Sequence, residues 1–77
     1  MSNLTKEERF LVALYEIDKE GGLVSIQRVA ENSGVGPKSC RGVCKTLMRT
    51  NFIRILDDEF IKITPHGVKL AEQLFEP

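Results

Sequence analysis

Hydrophobic positions recur along the chain with two periods, and the changes of period mark where elements begin and end. Phe10, Ala13, Leu14 and Ile17 recur at three- and four-residue intervals, the spacing of one helical face. Thr5-Lys6-Glu7-Glu8 supplies the start of that helix. Thr5 can accept from the backbone three residues on, and Glu8 can reach back, a capping box. The helix is predicted to run to about Glu20, where Gly21-Gly22 stops it. Leu11, Val12 and Tyr15 widen its apolar surface beyond one stripe, which implies either deep burial or a partner. Leu23 and Val24 have the character of a very short strand. Ser25 is a good cap for a second helix, Ile26 to about Ser33, with Ile26, Val29 and Ala30 on its buried side.

Gly34 offers a left-handed turn residue, and Val35 after it can plug the gap between two helices. Pro37 suits the first turn of a third helix running to Thr50. On a wheel of about 100° per residue, Cys40, Val43, Cys44, Leu47 and Met48 share one side, and Lys38, Arg41, Lys45 and Arg49 share the other. Asn51 is placed to end this helix in the left-handed conformation. The period then drops to two. Ile53 and Ile55 alternate with Arg54 and Leu56, and Ile61 and Ile63 with Phe60 and Lys62, about a turn at Asp57-Asp58-Glu59: a hairpin. Thr64-Pro65 opens a last helix as cap and first helical residue, with Val68, Ala71, Leu74 and Phe75 on its core face.

Composition narrows this picture. At 77 residues there is room for one domain, and its core is modest enough that a partner often adds stability. Eleven Lys and Arg balance eleven Asp and Glu, so any polyanion must be met by cations gathered on one side. The amino terminus is polar and the longest apolar run, 10–15, is far too short to span a membrane. The expectation is a cytoplasmic protein with no membrane contact, in which Cys40 and Cys44 are reduced core thiols. Zinc needs about four ligands and His66 is the lone histidine, so no metal or other cofactor is expected. The chain has no histidine pair or glycine-rich phosphate loop, and its carboxylates fall on helix ends and the hairpin. We therefore expect no enzyme activity and no small-molecule ligand.

The order helix, short strand, helix, helix, two-stranded hairpin, helix resembles that of prokaryotic winged helix-turn-helix regulator domains, over nearly the whole chain. Ala30, Gly34 and Val35 are similar to the small residue, glycine and apolar residue of the family's turn. Cys40, Val43 and Leu47 match its apolar positions in the recognition helix, and Thr64-Pro65-His66-Gly67 its Thr-x-x-Gly segment. Ser33, Gly36, Asn51 and the acidic hairpin tip depart from the pattern. The resemblance implies a mainly α fold with a small β-hairpin, an α+β winged helix in a single domain 1–77. The helix-turn-helix would cover about 25–51, the wing 52–63 and the C-terminal helix 64–76. It also implies a transcriptional regulator that binds double-stranded DNA through its third helix.

Four cations on one helical face, with no acid between Lys38 and Arg49, repel one another by a few tenths of a kcal/mol per pair unless an anion is present. The bland alternative is a solvated face. On the resemblance, Arg41 and Lys45 reach guanine edges in the major groove, Lys38 and Arg49 touch phosphates, and Ser39 does either. Gly42, costly by about 1 kcal/mol inside a helix, permits close approach to DNA. Gln27 and Arg28 are further phosphate contacts, and Arg54 and Lys62 form a clamp on the hairpin. The acidic tip, repelled by phosphate, stays off the DNA. A homodimer is expected through Leu11, Val12, Tyr15, Leu70 and Leu74, spacing two recognition helices by about one DNA turn, roughly 34 Å. A second reading is a protein-interaction module that binds no DNA, favoured by the zero net charge and the acidic hairpin tip.

Overall fold

The computed structural model describes the backbone of residues 4–75 and the side chains of residues 4–74. The Phe75 side chain and position 76 lie outside the described residues. Among the described residues the chain forms four helices and three strands: α1 (Lys6–Asp18), β1 (Val24–Ser25), α2 (Ile26–Ser33), α3 (Pro37–Arg49), β2 (Ile53–Ile55), β3 (Phe60–Ile63) and α4 (Pro65–Phe75). The strands make one antiparallel sheet in the order β1-β3-β2, so the fold is α+β and mainly helical. Val24 pairs with Ile61, and Ile53, Arg54 and Ile55 pair with Ile63, Lys62 and Ile61.

The first helix is the centre of the packing. The capping box forms as the sequence predicts, with Glu8 N donating to Thr5 Oγ1 at 3.1 Å and Thr5 N donating to Glu8 Oε1 at 2.9 Å. Once started, α1 packs against α2, α3, α4 and β3. A helix with neighbours on so many sides buries more than one stripe. Leu11, expected on an outer dimer face, is therefore 0% exposed and sits in the core beside Phe10, Leu14 and Ile17. Each such side chain contributes about 1.5–3 kcal/mol by burial. Ala13, expected in the core stripe, is half-buried instead. The helix ends at Asp18, two residues before the expected Glu20, as Glu20 N and Gly21 N bond back to the carbonyls of Ile17 and Asp18 at 3.0 Å.

Helices α2 and α3 end by the same device. At the end of α2, Gly34 has φ 73°, Val35 N donates to Ala30 O at 3.0 Å, and the Val35 side chain is buried. At the end of α3, Asn51 has φ 65°, Asn51 N donates to Met48 O at 3.0 Å, and Phe52 N donates to Leu47 O at 2.9 Å. This paired pattern satisfies carbonyls that a helix end leaves orphaned. Asn51 takes the place glycine usually holds because asparagine tolerates the left-handed region better than other side chains. Helix α3 stops at Arg49, with Thr50 as its cap rather than its last residue.

The residues just after α3 are tied directly to the start of α4. Thr64 Oγ1 donates to Asn51 O at 2.7 Å and accepts from Gly67 N at 3.0 Å, while Thr64 N donates to Phe52 O at 3.1 Å. Thr64 is buried, and these bonds satisfy it. The Phe52 ring stacks on His66 with centroids 4.7 Å apart and planes 5° from parallel. Gly67 lies so close beneath Phe52 that a Cβ there would collide with the Phe52 carbonyl oxygen and approach Ile63 Cγ1 to 2.8 Å.

Two apolar side chains, Met48 and Ile55, fall outside the core that periodicity assigned to them. Met48 is 46% exposed: on the wheel it lies only about 20° from Arg41, so it belongs to the border of the basic side. Ile55 is 40% exposed although Ile53, on the same sheet face, is buried. The strand pairing with β3 ends at Ile55, and Leu56 lies beyond the last paired residue. Strand β1 is shifted by one residue from the expected Leu23 and Val24, and Leu23 is exposed.

The Gly67 contact yields a sharp expectation. Gly67→Ala must push the backbone of Phe52 or α4 aside, and overpacking of this kind costs about 1–3 kcal/mol or more. Urea unfolding should show the midpoint falling accordingly. An unchanged midpoint would mean that the two backbones are not in the contact described.

Candidate nucleic-acid interface

Helix α3 is held by its apolar side and presents its basic one. Cys40, Val43, Cys44 and Leu47 are buried, and they fix the rotation of the helix. Lys38, Arg41, Lys45 and Arg49 are consequently all exposed. Among the described residues none of the four has an ion-pair partner, since the two salt bridges join Lys19 to Glu16 and Arg28 to Glu20. Gly42 lies on the same open side, and a Cβ built there would meet nothing within 4 Å. Packing within the chain therefore gives no reason for a glycine at this position.

Ser39, half-buried, is drawn toward α1: Lys6 Nζ donates to its Oγ at 3.3 Å. Lys6 thus extends the basic face across to the start of α1, a residue that periodicity did not single out. A signal was present, because a cation in the first turn of a helix opposes the helix dipole and asks for another reason to be there. Thr46 is likewise exposed on this side. The start of α3 is capped by no side chain, because Gly36 stands at the cap position.

The remaining candidates divide. Gln27 and Arg28 are exposed at the start of α2, but each has a partner. Gln27 Nε2 donates to Glu31 Oε2 at 3.4 Å, and Arg28 Nη2 donates to Glu20 Oε1 at 2.8 Å. An exposed ion pair of this kind is worth about 0–1 kcal/mol, so Arg28 remains available to an anion at small cost. Arg54 and Lys62 are direct cross-strand partners, both exposed and without an acid partner among the described residues. Like charges placed opposite one another destabilise a strand pair. The hairpin turn between them is short and tied down. Asp57 Oδ1 accepts from Glu59 N at 2.8 Å and Phe60 N at 3.1 Å, and Glu59 O accepts from Ile26 N at 2.8 Å.

The residues expected at a dimer interface are largely absorbed by the protomer. Leu11 is inside the core. Tyr15 and Leu70 are partly buried against it, and the Tyr15 hydroxyl donates to Glu72 Oε2 of α4 at 3.4 Å. Lys19 Nζ stands 4.5 Å from the Tyr15 ring centroid. Val12 and Leu74 are half-buried.

Among the described residues no group of three or more His, Cys, Asp or Glu is arranged to hold a metal ion. No helix among them is long and apolar enough to cross a membrane. No protein-family model, curated protein or solved structure matches the chain.

On the buried side of α3 the two thiols adjoin. Burial pushes the Cys44 thiol up to about 12, with smaller contributions in the same direction from the charge interaction and side-chain hydrogen bond with Cys40. A thiol held so firmly protonated is a poor nucleophile, since the thiolate is the reactive form. The native state keeps this proton where the unfolded chain releases it. The associated stability is complete below the ordinary thiol value of about 8.5 and is lost as pH rises from there toward 12. Cys44→Ala removes buried volume and should lie below the parent protein in urea stability at pH 7. The gap should narrow by up to about 1.4 kcal/mol per pH unit above pH 9. A gap that stays constant to pH 10.5 would count against this protonation assignment.

Proposed function

We propose that the chain is a winged helix-turn-helix protein that binds double-stranded DNA, with α3 as the recognition helix in the major groove and the β2–β3 hairpin as a short wing. The observation that carries the reading is the exposed row Lys38, Arg41, Lys45 and Arg49, without acid partners among the described residues and with Gly42 open among them. A duplex supplies the anions that such a row lacks. In this reading Arg41 and Lys45 donate to base edges, and Lys38, Arg49, Ser39 and Lys6 meet phosphate. Arg28 and Gln27 exchange their acid partners for phosphate, and Arg54 and Lys62 close on one backbone oxygen. The acidic turn stays off the DNA, tied back to the start of α2.

The protein then acts as a transcriptional regulator in the cytoplasm, and a two-fold pair of copies would read a palindromic site. Support for the pair is confined to Val12 and Leu74, because Leu11 is in the core and Tyr15 and Leu70 pack on their own protomer. Sedimentation equilibrium at micromolar concentration should give a dimer mass that Val12→Glu reduces. A monomer mass in both would leave each copy reading a single half-site.

A second reading, a protein-interaction module that binds no DNA, draws on the exposure of Leu23, Ile55 and Leu56 around the sheet. Fluorescence anisotropy against random duplex separates the two. DNA binding requires affinity that falls steeply with salt, with a logarithmic slope of about −0.9 per phosphate neutralised. Absence of binding even at low salt would favour the interaction module.

Two substitutions test the assignment of residues. Against the preferred duplex, Arg41→Ala with Lys45→Ala should cost about 1–3 kcal/mol per lost base contact, without loss of thermal stability. Gly42→Ala should have opposite effects on two measurements. It should stabilise the free protein by up to about 1 kcal/mol, because alanine is the better helix former and the space is open. It should weaken duplex binding where the backbone must come close. Stabilisation with unchanged affinity would remove Gly42 from the interface.

A further inference from the structure

A groove of about 620 Å³ runs between α2, the start of α3 and the hairpin turn. Ile26, Ala30, Val35, Pro37 and Phe60 make its floor apolar, and Leu56 lies across the hairpin from Phe60, its backbone N donating to Phe60 O at 2.9 Å. Leu56 is 52% exposed, an open apolar side chain at this end of the hairpin. No lysine or arginine lines it, and Glu31, Asp58 and Glu59 do. Glu31 has Gln27 as a hydrogen-bond partner. The side chains of Asp58 and Glu59 have no hydrogen bond or ion pair among the described residues, unlike neighbouring Asp57, whose carboxylate closes the turn.

The geometry points to a second interaction surface: this groove receives a protein partner through an extended or helical segment that presents one or two large apolar side chains between lysines or arginines. The apolar floor supplies contact area for such anchors, and concave sites of this size can hold the side chains that dominate binding energy. The three carboxylates, contributed by two separate elements, are brought together by the fold without a cation. A basic partner relieves that repulsion, and an acidic or phosphorylated one increases it. The same charges disfavour nucleic acid in the groove, which shares only Gln27 with the proposed DNA contacts. The basic side chains of α3 lie on its exposed side, whereas Pro37 and the buried Cys40 are its contribution here. The surface therefore does not depend on whether α3 meets DNA.

The test uses the full chain, immobilised, to select from a displayed library of random twelve-residue peptides. The most enriched peptide, labelled with fluorescein, is then titrated by anisotropy. The expected result is a motif of Leu, Ile or Phe flanked by Lys or Arg, whose affinity drops about tenfold or more on Asp58→Lys with Glu59→Lys. These positions are exposed, and their carboxylates have no partner to lose, so the variant should keep its fold, checked by circular dichroism. A second variant, Glu31→Lys, should act in the same direction. Random-duplex affinity is measured on the same proteins and should not fall, which keeps this outcome separate from that of the α3 assignment. Enrichment of acidic peptides, or no enrichment at all, would overturn the proposal. So would binding indifferent to both variants, or a self-association of the parent protein that the two variants abolish.

Discussion

The constraint on which the rest depends is the contact between two stretches of backbone, at Phe52 and at Gly67. Only hydrogen fits at the α-carbon of residue 67, because the Phe52 carbonyl oxygen occupies the place of a side chain. Thr64 makes that approach favourable by bonding simultaneously to Asn51 O and Gly67 N. The consequence is structural in both directions. The end of α3 and the start of β2 are fixed relative to α4, and α4 is thereby brought onto α1. Buried hydrogen bonds of this kind contribute about 1 kcal/mol each, but losing one partner leaves the other unsatisfied at a larger cost. The segment therefore acts as a joint more than as a source of net stability.

Through that joint the rotation of α3 is inherited from its buried side. Burial of Val43, Leu47 and the two thiols is worth several kcal/mol. Against it stand repulsion of a few tenths of a kcal/mol per neighbouring cation pair and about 1 kcal/mol for Gly42. The helix survives those costs comfortably. The outer face is consequently free to carry a sequence that stability alone does not favour. The same holds on the sheet, where Arg54 and Lys62 stand opposite each other although the pair is repulsive.

The elements were legible in the sequence because their signals are local. Capping at Thr5 and Ser25, the left-handed turns at Gly34 and Asn51, and the first-turn prolines at Pro37 and Pro65 each depend on residues a few positions apart. Burial was less legible, because it depends on what lies across space. Leu11 is off the main stripe of α1 and still buried, since α1 is surrounded; Met48 is apolar and still exposed, since the core ends beside it. The candidate site shows the same division. The exposed cations of α3 follow from a wheel, whereas the Lys6–Ser39 contact and the Arg28–Glu20 pair join elements whose relative placement no periodicity reports. The reason for Gly67 is likewise non-local: Thr-x-x-Gly is visible as a string, but the clash that demands glycine comes from Phe52, fifteen residues earlier.

The formal neutrality of the chain describes only a sum. Charges interact over a screening length of about 8 Å at physiological ionic strength. Along a helix rising about 1.5 Å per residue, Lys38 and Arg49 are roughly 16 Å apart, two screening lengths. Asp58 and Glu59 share a groove with Pro37, at the start of α3, so their field is felt at that end and fades along the helix. The start of α3 thus has both signs near it, the carboxylates of the groove and Lys6 bonded to Ser39, whereas Lys45 and Arg49 stand about two and three turns further on. The neutral sum thus covers an exposed basic row on α3 and an acidic groove at its start.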